Sequence, residues 1–236
     1  KQNIVPQADD GVVVAKGTLQ QKPVVIISIE GIFQGGSLGE VGGAKIAGAL
    51  ELAAEDNRKG IPTAAILLLE TGGVRLQEAN LGLAAIAEIQ AAIVALRQYQ
   101  PVVAVIAGSV GCFGGMSIAA ALCSYLIMTQ EGRLGLNGPQ VIEQEAGVQE
   151  YDSKDRPFIW SITGGQQRAA SGLVDAYVED DRQQIKQQIL QYLTQGLPDL
   201  HRSSNYDFYL NHLQGVDTTE QATPLQVRTL YQGEQA

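Results

Sequence analysis

Cysteine is scarce in this chain. Its 236 residues hold two, Cys112 and Cys123, both inside apolar stretches. Two thiols cannot supply a four-cysteine zinc site or a disulfide framework, and the usage fits a reducing cytoplasm. Histidine is as rare, with only His201 and His212, and no metal-ligand spacing such as H-E-x-x-H occurs, so no metal is expected. Basic residues are outnumbered, 16 Lys and Arg against 25 Asp and Glu. The resulting net charge of −9 argues against a general nucleic-acid binder. No apolar run reaches the length of a membrane span, and no signal-peptide pattern opens the sequence.

Apolar residues and glycine are plentiful: 45% of the chain is hydrophobic and 27 residues are Gly. That content excludes disorder and a coiled coil. The length suits one large domain over 1–236, with a polar, weakly patterned C-terminal extension from about Gln214. Lys1 to Asp10 has no period. Gly11 to Gln20 reads as a strand and turn; Pro23 to Ile29, Thr63 to Leu69, Val102 to Ala107 and Tyr125 to Thr129 read as buried strands. Helical spacing follows at Lys45 to Glu55, Leu83 to Leu96 and Met116 to Leu122, and again at Gln140 to Ala146 and Arg182 to Leu193. Glu88 and Gln90 are the main polar breaks in the second of these. Strand, glycine turn and apolar helix in alternation imply an α/β fold with largely parallel, buried strands.

Two glycine turns stand out. Gly72-Gly73 follows one buried strand, and Gly114-Gly115 follows the next and opens a helix. Helix N-termini carry unpaired N–H groups that favour negative charge, so converging turns would hold a developing oxyanion. The same glycines would equally serve close strand-to-helix packing. A rival occupies the same stretch: Ala107-Gly108-Ser109-Val110-Gly111 is a variant nucleophile elbow, with Asp175 and His201 following in hydrolase order. Against it, the helix begins nearer Gly114, whereas an elbow needs one immediately. Gly36 to Lys45 lacks phosphate-loop spacing. Arg75 offers a cation after the first turn, with Glu78 as an ordinary helical partner. Cys112 reads as a buried, inert thiol.

The segment GVVVAKGTLQQKPVVIISIEGIFQGGSLGEVGGAKIAGALELA, Gly11 to Ala53, resembles the crotonase-fold carboxyltransferase subunits of acyl-CoA carboxylases. ETGGVRLQEA (Glu70 to Ala79) is similar to their S/D-GG-AR-x-QE turn, with Val74 where Ala is usual, and GCFGGMSIAAA (Gly111 to Ala121) matches their second glycine turn. Within that group, Glu131 to Asp180 looks most like the β subunits of biotin-independent malonate decarboxylases. The resemblance implies a crotonase (ClpP/crotonase-like) spiral of strand-strand-helix repeats. It implies decarboxylation of a malonyl thioester on the phosphopantetheine-type arm of an acyl-carrier subunit, with a γ subunit sharing the site and an acyl-carrier transferase (α) subunit alongside. No cofactor is implied on this chain itself.

By position, the match assigns an oxyanion hole to the N–H groups around Gly73 and Gly115, with Gly72 and Gly114 shaping the turns. It implies no nucleophilic side chain, and a proton supplied by water or the partner. An anionic arm asks for positive charge, for which Arg75, Lys45 and Arg133 are candidates, each otherwise a solvated surface charge. Three alternatives stay open: the carboxyltransferase β subunit of a biotin-dependent acyl-CoA carboxylase, a serine hydrolase using Ser109, and a non-catalytic assembly subunit. The first carries a zinc ribbon in bacteria, and no cysteine precedes Cys112 here.

Overall fold

The apolar runs of the sequence become the centre of a six-stranded sheet. In a computed structural model describing residues 10–214, 216–217, 219 and 222–232, Val12–Leu19 (β1) and Lys22–Ile29 (β2) form an antiparallel hairpin. Its two-residue turn, Gln20-Gln21, has both φ angles positive, the geometry that matches strand twist. The chain then runs through Ser37–Leu38 (β3), Glu40–Arg58 (α1), Ala64–Leu68 (β4), Gly73–Val74 (β5), Asn80–Leu96 (α2), Val102–Ile106 (β6), Gly115–Leu122 (α3), Tyr125–Met128 (β7) and Pro139–Ala146 (α4). Arg156–Thr163 (α5), Gly165–Ala170 (α6), Ala176–Tyr177 (β8), Arg182–Gln195 (α7), Tyr206–Leu213 (α8) and Pro224–Gln232 (α9) complete it.

The main sheet has the order β1-β2-β4-β6-β7-β8, parallel after the first pair. Both faces are covered, which is why β6 reads as an unbroken apolar run with every residue buried. One face, with Ile27, Leu67, Ala104 and Leu126, packs on α1 to α3. The other, with Ile66, Val103 and Ile127, meets Ile189, Tyr192 and Leu193 of α7, where Tyr125 and Tyr192 stack at 4.1 Å.

After each central strand the chain takes a second short extended step before its helix. Ser37↔Gly73, Leu38↔Val74, Thr71↔Cys112 and Cys112↔Leu134 pair these steps into a second layer. The repeat is therefore strand, short strand, helix, wound into a spiral of the crotonase type.

α1 and α2 start earlier than their apolar periodicity suggests. α1 begins at Glu40, not Lys45, and takes Gly42 and Gly43 inside it. A Cβ on Gly43 would lie 2.3 Å from the Ala85 Cβ, so glycine here lets α1 and α2 approach rather than stopping a helix. The C-terminal extension carries α9, tied to α6 where Gln167 Nε2 donates to the Pro224 carbonyl at 3.1 Å. Residues 215, 218, 220, 221 and 233–236 of that extension, and residues 1–9, lie outside those described. No helix among the described residues is long and apolar enough to cross a membrane.

Two arginines close the C-terminal end of α3. Arg97 Nη1 donates to the Leu122 carbonyl at 2.5 Å, and Arg202 Nη1 to the Ala121 carbonyl at 3.0 Å. Cations there complement the helix dipole. Arg202 is itself paired with Asp175, whose carboxylate also accepts the Leu126 N–H at 2.7 Å.

Candidate active site

The two glycine turns meet. Thr71 joins them through its backbone: its N–H donates to the Gly111 carbonyl at 2.8 Å, and its carbonyl accepts the Phe113 N–H at 3.0 Å. Gly73 and Gly114 both have positive φ, +104° and +61°. A Cβ on Gly114 would sit 3.3 Å from the Gly73 Cα, and one on Gly73 would sit 3.1 Å from the Phe113 carbonyl. Side chains at either position would be strained and would separate the turns. Gly72 and Gly115 flank this contact, so all four glycines lie at one place, between the end of β4 and the start of α3.

Their N–H groups have different fates. Gly72 donates to the Gly35 carbonyl at 2.9 Å, Gly73 to the buried Thr71 Oγ1 at 3.0 Å, and Gly114 to the Leu136 carbonyl at 2.7 Å. These three bonds shape the turns. The N–H groups of Gly115 and Met116, in the first turn of α3, have no acceptor among the described residues. On the facing turn, Arg75 N–H donates to the Leu38 carbonyl at 2.7 Å. Alternation along the strand then turns the Val74 N–H away from β3, and the Val74 nitrogen lies 3.8 Å from a Cβ built on Gly114. The N–H groups of Val74, Gly115 and Met116 are thus the ones at this contact without an acceptor among the described residues. The sequence brought the region to light but not the direction of each amide.

Other residues hold these donors in place. Gln90, the polar break in α2, donates from Nε2 to the Gly115 carbonyl at 3.2 Å. Thr71, two residues before Gly73, makes the side-chain turn its residue type favours. Both signals were legible. Leu136 was not, because it acts through its carbonyl.

The three candidate cations are engaged within the chain. Lys45 Nζ binds the Asp10 carboxylate at 3.1 Å and the Val12 carbonyl at 2.5 Å, at the start of β1 and away from the turn residues. Arg75 pairs with Glu78 at 2.9 Å and donates to the Ser37 carbonyl at 2.8 Å. Glu78 in turn accepts the Glu40 N–H at 2.7 Å, and this bond, then burial opposed by Arg75, sets its pKa below the usual carboxylate range. Arg75 therefore staples the first turn to the start of α1. Arg133 donates to the Ser109 carbonyl at 2.6 Å and stacks on Trp160 at 4.7 Å; burial, then the neighbouring Arg156, lowers its pKa.

The hydrolase arrangement does not assemble. Ser109 is exposed beyond the C-terminal end of β6. Asp175 binds Leu126 N–H and Arg202 near the opposite end of the paired strands, since Val103 sits beside Tyr125 and Ile106 beside Met128. His201 Nδ1 is buried without a partner among the described residues, and burial, then Arg97 and Arg202, lowers its pKa. Cys112 and Cys123 are buried free thiols; burial pushes both pKa values up, that of Cys123 to about 12. Ser109→Ala is accordingly expected to keep full turnover, and neither thiol of the folded protein to react with iodoacetamide at pH 8. A dead Ser109→Ala variant would restore the hydrolase reading. Among the described residues no group of three or more His, Cys, Asp or Glu is placed to hold a metal ion.

The rim of the turns is apolar and exposed: Leu76, Leu81 and Leu136 show 86%, 53% and 60% of their surface.

Comparison with known proteins places this geometry in context. The carboxyl transferase domain family matches residues 2–233. The malonyl-S-ACP:biotin-protein carboxyltransferase MADC of Malonomonas rubra is 44% identical over 174 residues, 70% of this chain; the chain spans about half, 55%, of that curated relative. A chain of a Pseudomonas malonate decarboxylase hetero-tetramer, solved in complex with malonate, is 70% identical with a TM-score of 0.94, covering 98% of this chain and 83% of that one. A chain of a Pseudomonas malonate decarboxylase MdcD-MdcE hetero-dimer is 65% identical with a TM-score of 0.79, over 88% of this chain and 87% of that one.

Proposed function

The chain belongs to the carboxyl transferase domain family, among its malonate decarboxylase subunits, and from that premise we propose that it is the β subunit of a malonate decarboxylase. Its substrate is a malonyl thioester on the phosphopantetheine-type arm of an acyl-carrier subunit. The carbon–carbon bond to the carboxylate breaks, CO2 leaves, and the electron pair passes into the thioester carbonyl as an enolate. One proton taken up at carbon gives the acetyl thioester. The observation that carries this reading is the contact of the two glycine turns, locked together by Thr71, with the N–H groups of Val74 and Gly115 left without an acceptor among the described residues. Fixed donors sheltered from water stabilise an enolate oxygen better than water does, and one such donor contributes about 10²–10³ in rate.

The chain's own side chains position and do not react. Thr71, Gln90 and Arg75 hold the amides, and the proton comes from water or from a γ subunit. The exposed leucines around the turns suit burial by that γ subunit, with the acyl-carrier and its α transferase completing a cytoplasmic hetero-oligomer. Neither Lys45 nor Arg133 is assigned to the carrier arm, because both are spent on internal carbonyls.

A second reading is favoured by the relative from Malonomonas rubra, whose name specifies transfer to a biotin protein. The same hole would then hold the same enolate while the carboxyl group moves to biotin instead of leaving. CO2 release from malonyl-S-carrier protein, measured on the complex purified with its native partners and no biotin, separates the two. Release with acetyl thioester formation is expected. Turnover only after a biotin protein is added would establish the second reading, and no turnover in either condition would defeat both.

A further inference from the structure

Arg168, on α6, is a half-buried guanidinium with no ion-pair partner among the described residues. Its Nε donates to the Leu134 carbonyl at 2.9 Å, and its Nη groups have no partner among the described residues. Arg58, Arg75, Arg156 and Arg202 each have an acidic partner, and Arg97 and Arg133, which have none among the described residues, direct Nη groups to the Leu122 and Ser109 carbonyls. Taking a cation out of water without a counter-ion is costly, and the cost is met where an anion arrives from outside. Burial lowers the pKa of Arg168, in keeping with that cost.

Arg168 lines a cavity of about 420 Å³ between α5–α6 and α9. Phe158, Ile162, Pro224 and Val227 give it apolar walls. Gln167, also in the lining, donates to the Pro224 carbonyl and accepts from Arg228. Tyr151, 8% exposed, has a buried hydroxyl with no hydrogen-bond partner. Burial raises its pKa, and the Arg133 and Arg168 charges oppose that rise. Glu150 is the other charged residue of the lining, and it is exposed and not paired with Arg168.

We infer that this cavity is a binding site for a small organic monocarboxylate with a hydrocarbon body, its carboxylate taken by the Arg168 fork and its chain laid between Phe158, Ile162 and Val227. The planar guanidinium suits a two-oxygen acceptor. The apolar walls suit the hydrocarbon and leave an inorganic anion without contacts. Glu150 repels a second negative charge, so a dicarboxylate such as malonate binds worse than a monocarboxylate of similar size. The site is separate from the glycine turns and does not depend on the decarboxylase reading.

Isothermal titration of the purified complex with hexanoate, malonate and inorganic phosphate tests this. Hexanoate is expected to bind saturably, and malonate and phosphate about tenfold or more weakly. Arg168→Met should abolish hexanoate binding while Arg168→Lys retains part of it. Because Arg168 also supports Leu134, Val227→Trp provides an independent variant: it fills the cavity, leaves the cation, and should abolish hexanoate binding too. Malonyl-thioester turnover in Val227→Trp should stay at the wild-type value. No saturable hexanoate binding to the wild type, binding that survives both Arg168→Met and Val227→Trp, or phosphate binding as tight as hexanoate would each overturn the proposal.

Discussion

Gly115→Pro will lower malonyl-thioester decarboxylation by about 10²–10³ while the protein stays folded and assembled. The substitution is unusually selective. Gly115 is the first residue of α3, where proline is tolerated because its missing N–H has no helical acceptor. Gly114 before it has ψ −146°, outside the helical region that proline forbids to its predecessor. The one close approach is to Ile86 Cγ2, 2.7 Å from a built Cβ and at the end of a side chain that can move. What the variant loses is the donor. The loss should fall on kcat with KM little changed, since the enolate forms after binding. Gly17→Ala, with nothing within 4 Å of the added carbon, is the control. A folded Gly115→Pro complex with undiminished kcat would remove α3 from the mechanism.

Asp175→Ala will destabilise the chain by about 3 kcal/mol, the largest loss expected from one surface-proximal side chain. Arg202 is 7% exposed and Asp175 is 35% exposed, so the pair is cation-buried and only partly screened. Removing the carboxylate leaves the guanidinium without its counter-ion and the Leu126 N–H without its acceptor, and both penalties act together. The urea unfolding midpoint should fall accordingly, with a melting temperature lower by roughly 6–12 °C for a chain of this size. Asp175→Asn retains an acceptor for Leu126 and should lose less. Equal losses in the two variants would show that the charge of Asp175 does nothing for Arg202.

The sequence exposed some of this architecture and hid the rest for identifiable reasons. β2, β4, β6 and β7 were legible because a sheet covered on both faces leaves continuous apolar runs. The glycine turns were legible because positive φ at Gly73 and Gly114 excludes almost every other residue. The start of α1 was not, since Gly43 serves the contact with Ala85, and a glycine needed by a distant helix looks locally like a breaker. The second layer left no pattern: its strands are two residues or single bridges, made by backbone groups far apart in sequence. The candidate cations could not be sorted without coordinates. Asp10 lies 35 residues from Lys45, and Ser37 lies 38 from Arg75. Arg168 carried no motif, and it stands out only in the fold, where its Nη groups have no partner among the described residues.

The way the second layer is stitched sets when the site comes into being. Thr71 waits for Gly111 and Phe113, and Gly114 waits for Leu136, so the two turns are fixed by contacts from three successive repeats. Such non-local closures come late, after the loop entropy of each repeat has been met. During synthesis the β2–β4 pair can therefore form while the contact between the two glycine turns does not yet exist. A chain that stops short of Leu136 has a hydrophobic sheet and both glycine pairs, yet the amide of Gly114 has nothing to hold it. The contact between the turns is complete only once Leu136 is in place, and it is not a property of either turn alone.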